Sequence, residues 1–466
     1  MATATPSGSE AGIRPFDLRR NWEALTRRPR FHDPVVDGVR ALAILWVMSY
    51  HLVLFHLGSF TAEAVGIASG TWTQWTSRGD MGVDLFFVIS GYLIGTILLR
   101  EYRSSGTLRI RRFYVRRFLR LMPVYTVAMI VGLYFVHNIP REAILMEFPP
   151  FMNADNMWAN FLYVNNFLPI NRQYMGWCWS LAIEEQFYLI LPGFLLMVLR
   201  VSRPMRVFGS LMVLAGIIRW IVIVRHGFVP PFLDLPNMQS WVDRFTIEYQ
   251  NLYTRYGALL SGVMGAYVMV YHRERVARFF GRVRLVEALS VASLVVIASA
   301  GYVALSSPLF LELPVAARTL YYSHHRDVFA LAVMFLVLAA IHSAGYLGRG
   351  IRRLLSARVL FPIAQISYSL YLVHEMFMLW LFPKTAALFG PALGAHATMA
   401  VAALIALAMS FAGATVLYLL VEQPSMRARE LPAIRGLFPS GPAGREGDPL
   451  SARPGVYHGQ DPLPPR

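Results

Sequence analysis

Arg40 and His51, eleven positions apart on one apolar stretch, are the first residues in this sequence that could do chemistry. The stretch begins Asp37-Gly38-Val39-Arg40 and runs through Trp46, Ser49 and Tyr50 to His51. At ~1.5 Å rise and ~3.6 residues per turn, a helix places both side chains on one face, roughly 16 Å apart in depth. An ionisable group inside hydrocarbon is costly and marks a functional position by default. The plainer alternative for His51 is a hydrogen bond to a neighbouring helix.

Other polar groups fall into two sets. Arg116, Arg117 and Arg120 open a third apolar stretch at three- and four-residue spacings, so they cover neighbouring patches of one helix. They could anchor lipid phosphates. They could also hold a phosphate-rich donor, because guanidinium suits bidentate phosphate recognition in a partly dry site. The second set is acid–base in kind: Asp84 in Gly82–Gly91, the adjacent Glu184 and Glu185 after Trp179-Ser180, and His374-Glu375, with Arg219 at similar depth. A histidine acting as a base needs a carboxylate to fix its tautomer. No Gly-x-Ser-x-Gly elbow surrounds Ser49, Ser90 or Ser180, which favours general-base transfer to a hydroxyl over a covalent acyl-serine. Each member could alternatively make only an interhelical hydrogen bond.

The elements that must position these groups are membrane helices. Of 466 residues, 56% are hydrophobic and only 15% charged, against roughly a quarter in soluble domains. Apolar runs of about 20 residues recur, and the mean hydropathy is +0.46. Ten spans are expected: Asp37–Leu57, Gly82–Leu99, Phe113–His137, Ser180–Leu199, Val207–Val224, Tyr253–Tyr271, Leu285–Leu305, Asp327–Gly345, Leu360–Leu381 and Ala397–Leu420. The fold class is therefore all-α and polytopic. Residues 1–36 form a basic N-terminal tail, 37–423 the transmembrane domain, and 424–466 a Gly- and Pro-rich tail expected to be disordered.

The net charge of +16 raises nucleic acid as a partner, but the distribution of the charges points elsewhere. Most of the 43 Lys and Arg residues lie in the two tails and in alternate connections. The intervening connections hold only Arg78, Arg141, Arg172, Arg225, Arg244, Arg318, Arg326 and Lys384. This is the positive-inside pattern; it predicts cytoplasmic termini and makes the basic excess a matter of topology. The single cysteine, Cys178, excludes an internal disulfide and a cysteine-based metal cluster. The polar N-terminal segment has no apolar core, so no cleavable signal peptide is expected.

Taken together, the motifs resemble the membrane-integral acyltransferase-3 family, which O-acylates glycans, lipids and natural products. The likeness lies in Arg40-x10-His51, the aspartate- and phenylalanine-rich Gly82–Gly91, Arg117-x-x-Arg120 with Pro123, Trp179–Tyr188, and Ile366–His374. It covers about Asp37 to Glu422. Met376 stands where many members have proline, and Arg255 is followed by Tyr256-Gly257 where many have an acidic residue. The tail after Glu422 is too short for the esterase-like domain of fused members.

The resemblance implies ten helices in the inner (plasma) membrane and an acyl-CoA donor, usually acetyl-CoA, with no metal and no nucleic acid. His51 would be the general base, with Asp84, Glu184 or Glu185 stabilising its imidazolium. Arg40, Arg117 and Arg120 would serve the donor. From the residues themselves, Arg116 joins them, and Trp179, Ser180, Tyr188, Arg219, Arg255 and His374 are assigned to the acceptor, a glycan, lipid or natural product. The competing class is a transporter or flippase whose buried charges line a through-path without thioester chemistry.

Overall fold

The structure, a computed structural model, describes residues 16–29, 33–59, 76, 78–138, 152–228, 238–302, 312–428 and 431. The described residues are overwhelmingly helical, and their β structure is confined to an isolated bridge between Met152 and Tyr174. The expected disordered tail falls almost wholly outside the described residues.

Leaving aside the short helices Met157–Phe161, Met238–Arg244 and Arg273–Phe280, the helices in chain order are α1 (Leu18–Thr26), α2 (Pro34–Ser59), α3 (Asp80–Ser105), α4 (Ile110–Asn138), α5 (Trp179–Val198), α6 (Pro204–Arg225), α7 (Leu252–Tyr271), α8 (Val283–Tyr302), α9 (Val315–His342) and α10 (Tyr346–Leu355). After them come α11 (Leu360–Gly394) and α12 (His396–Ala428), which meet at a break where Gly394 has φ +72°. Nine of these are long and apolar enough to cross a membrane. The remaining long helix, α7, has 20 residues, and most of them are buried, Arg255 and three glycines included. A helix enclosed by protein has no lipid to face, so it can carry polar residues that a lipid-exposed span cannot.

Small residues set how closely the helices cross. A Cβ at Gly91 of α3 would lie 1.9 Å from the Leu259 carbonyl oxygen of α7, and one at Gly262 would lie 2.1 Å from that of Val88. Only glycine permits that approach, and close van der Waals packing is what joins helices where lipid offers no hydrophobic penalty. Helices α2 and α3 meet similarly at Gly82, whose Cβ would sit 2.7 Å from the Ala43 oxygen. That contact sets Val83 and Asp84 beside the helix carrying His51.

Several boundaries differ from the sequence expectation, the largest at α11, which runs to Gly394, thirteen residues past the expected Leu381, and takes Lys384 into the helix. Helix α9 begins at Val315, twelve residues before the expected Asp327, so Arg318 and Arg326 lie inside a helix and not in a connection. Hydropathy stops at Arg326-Asp327, but both are neutralised by partners on other helices, described below. Within the N-terminal tail, α1 is an ordered amphipathic helix of about two and a half turns capped by Asp17. Its buried Asn21 donates to the Leu419 carbonyl of α12 at 2.8 Å, in the π-helical turn Tyr418–Glu422. A π turn displaces a carbonyl from the helix ladder, and Asn21 satisfies it.

Candidate active site

His51 sits on α2 between two adjacent residues of α11. Its Nδ1 is 2.8 Å from His374 Nε2, and its Nε2 is 2.7 Å from Glu375 Oε1. His374 Nδ1 faces the Leu370 and Tyr371 carbonyl oxygens at 3.1 and 2.9 Å. Carbonyls only accept, so His374 Nδ1 carries the proton and its Nε2 is an acceptor. His51 Nδ1 must then be the donor, which leaves Nε2 as the position where His51 exchanges a proton, facing a carboxylate. Glu375 is 2% exposed, and its Oε2 has no hydrogen-bond partner among the described residues.

The carboxylate at His51 is therefore Glu375, and none of the three expected candidates. Asp84 is bound by Arg255 at 3.1 Å and by Arg326 at 2.5 Å, all three fully buried. Arg326 also reaches Asp80 at 2.5 Å, and Arg78 reaches Asp80 at 2.9 Å. Glu184 accepts from Ser90 Oγ at 2.9 Å. Glu185 accepts two bonds from Arg117, at 2.7 and 3.0 Å. Each expected carboxylate is already committed to a nearer cation or hydroxyl. Glu375 was legible only as the neighbour of His374 at the depth of His51.

The donor atoms of His51, His374 and Glu375 lie within 4.8 Å of one another, as they would around a metal ion. His374 and Glu375, however, approach opposite nitrogens of the His51 ring. One ion could not replace both contacts unless the ring turned, so the arrangement is that of a hydrogen-bonded relay.

Two cavities flank this relay. The first, about 900 Å³ with its open mouth, is lined by Arg40, Arg117 and Arg120 together with Ser90, Ser180, Glu184 and Tyr188. Arg40 donates to Ser367 Oγ at 2.9 Å, and the Arg117 guanidinium lies 3.6 Å over the Tyr188 ring. Arg116 is half-buried and does not line it. The second, about 530 Å³ with its mouth, is lined by His51, Glu375, Asp80, Trp179, Trp241 and Tyr249 among others. Both cavities touch Val83 and Tyr371. Tyr371 Oη donates to the Trp177 carbonyl at 2.6 Å and pairs with Ser180 Oγ at 2.7 Å.

Of the expected acceptor contacts, Trp179 lines the histidine chamber, whereas Ser180 and Tyr188 line the arginine chamber. Arg255 is held behind the chambers, 4.6 Å from the Tyr249 ring centroid and 5.4 Å from that of Trp179. Arg219 is removed from both. It bonds Asp327 at 3.2 Å and the carbonyls of Thr254 and Ser323, tying α6 to α7 and α9. It is a structural brace. Asp80, Arg326 and Tyr371 escaped the site assignment because the partners that give them significance include residues 191 to 246 positions away.

Comparison with known proteins follows the same lines. The chain is 34% identical over 262 residues to the peptidoglycan O-acetyltransferase OatA of Listeria monocytogenes, which covers 53% of this chain and 36% of that protein. It is 28% identical over 346 residues to the O-acetyltransferase OatA of Staphylococcus aureus, covering 73% of this chain and 50% of that protein. The chain thus spans half or less of the length of these curated relatives. No solved structure matches it. Residues 33–419 match the family described as an acyltransferase domain, and the chain belongs to that acyltransferase-3 family.

Proposed function

We propose that this multi-pass membrane protein is an O-acyltransferase that moves an acetyl group from acetyl-CoA to a hydroxyl of a glycan. The observation that carries the reading is the pair of chambers meeting at Val83 and Tyr371, with guanidinium groups in one and the His51–Glu375 pair in the other. Arg40 and Arg120 hold the phosphates of the donor, since planar forks match phosphate geometry. Arg117 gives two of its bonds to Glu185 and stiffens the wall. The acceptor hydroxyl enters the histidine chamber, which Trp179, Trp241 and Tyr249 line with aromatic side chains, a lining that suits a sugar ring.

The His51–Glu375 pair takes the hydroxyl proton as the oxygen attacks the thioester carbonyl. The C–S bond breaks, the acetyl group ends on the acceptor oxygen, and the sulfur leaves and takes up a proton as CoA-SH. His374 holds the ring so that Nε2 faces Glu375, and the two share the proton. The relatives' printed names, with peptidoglycan as one acceptor, support a glycan over a lipid or natural product. A wall at Val83 and Tyr371 favours transfer between two substrates over passage of one, which a transporter would need.

The donor site is tested by acetyl-CoA binding to purified protein. Arg120→Ala is expected to weaken it roughly tenfold or more, the scale of one charge-assisted hydrogen bond. Arg120→Lys is expected to recover only part, because a point charge cannot supply a bidentate contact. Unchanged affinity in the Arg40→Ala/Arg120→Ala double variant would make these arginines lipid anchors.

The arginine chamber opens toward the cytoplasm in this reading, and the membrane is the plasma membrane. Reporter fusions after Arg282 and Arg353 are then expected to read cytoplasmic, and one near Asn153 the opposite side. A reversed reporter at any of the three breaks that orientation.

A further inference from the structure

Two lining residues are common to both chambers: Val83 from α3 and Tyr371 from α11. Each is 6% exposed. Both are fixed more firmly than a lining side chain needs to be. Val83 follows Gly82, whose close approach to Ala43 and Val47 leaves α3 no room to slide on α2. Tyr371 is held by its hydroxyl, which donates to the Trp177 carbonyl and pairs with Ser180. Its ring stands edge-on to Phe86, with centroids 6.3 Å apart. His51 and Glu375 line one side of this pair, and Arg40, Arg117, Arg120 and Glu184 the other.

A thioester held in the arginine chamber and a base in the histidine chamber thus have these two side chains in common as lining. Water has the same nucleophilic group as the acceptor, and a base open to both would hydrolyse the donor. Exclusion of water until the acceptor is seated is a recognised way to prevent that side reaction.

We infer that Val83 and Tyr371 form a septum, with Tyr371 latched by Ser180 and the Trp177 carbonyl, which the seated acceptor opens by displacing the Tyr371 ring, so that thioester cleavage is coupled to the presence of the acceptor. Both are positioning residues. Neither exchanges a proton or holds an acyl group. Opening the septum lets a water oxygen attack the thioester carbonyl: the C–S bond breaks, and acetate and CoA-SH form without acceptor. The inference rests on the transfer reading above.

The test uses full-length protein in reconstituted vesicles. CoA release without acceptor is followed by thiol titration, and acetyl transfer to acceptor by mass spectrometry. Val83→Ala thins the wall from one side, and Tyr371→Phe keeps the ring but removes the latch. Both are expected to raise the ratio of hydrolysis to transfer about tenfold. Val83→Ala deletes only two methyl groups and guards against a folding defect in the other variant. A ratio equal to wild type in both variants, or a parallel fall of hydrolysis and transfer, overturns the septum while leaving the transferase reading in place. Wild-type protein that neither binds nor cleaves acetyl-CoA overturns both.

Discussion

His51→Gln is expected to abolish acetyl transfer while leaving acetyl-CoA binding intact. General acid–base groups contribute about 10²–10⁴-fold, so transfer falls by that factor or below detection. Glutamine keeps polarity and some hydrogen bonding toward His374 and Glu375 but cannot take a proton. The donor's phosphate ligands lie in the other chamber, so its affinity is spared. Glu375→Gln is expected to follow His51→Gln closely, because an amide at 2.7 Å from Nε2 can neither balance an imidazolium nor share its proton. Rates are measured in reconstituted membranes at equal protein level. A His51→Gln enzyme running near the wild-type rate would remove the general-base mechanism and favour a transporter.

Asp84→Asn is expected to fail in a different way, through folding. Asp84 is 1% exposed and faces two buried guanidinium groups, Arg255 and Arg326. Losing its charge leaves Asp80 as the one carboxylate bonded to Arg78 and Arg326, and takes from Arg255 its carboxylate contact. Removing one partner of a buried ion pair typically costs about 3–5 kcal/mol, because the remaining charge has been stripped of water without compensation. That is a large fraction of the stability of most proteins. Detergent-solubilised Asp84→Asn is thus expected to show a clearly lowered unfolding temperature and poor yield. An orienting carboxylate for His51 would instead depress turnover and leave the melt unchanged, and that outcome would return Asp84 to the catalytic group.

The two variants separate what the sequence by itself determined from what required the tertiary structure. Depth along a helix is local: hydropathy and a 1.5 Å rise place His51, His374 and Glu375 at one level however the helices are arranged. The all-helical membrane architecture, with nine of the ten expected spans long and apolar enough to cross among the described residues, and the family motifs were legible for the same reason. Even the error at α9 was local, since hydropathy ends a span at Arg326-Asp327 without knowing that each charge has a partner. Which carboxylate meets His51 was never a local property. Asp84, Glu184, Glu185 and Glu375 have similar chemistry and compatible depth. Their assignment depends on the rotation and separation of helices, which are fixed where Gly82, Gly91 and Gly262 let backbones approach. Those crossings turn Asp84 toward Arg255 and Arg326, set Glu185 against Arg117, and leave Glu375 for His51. The same crossings bring Val83 and Tyr371, 288 positions apart in the chain, to the lining of both chambers.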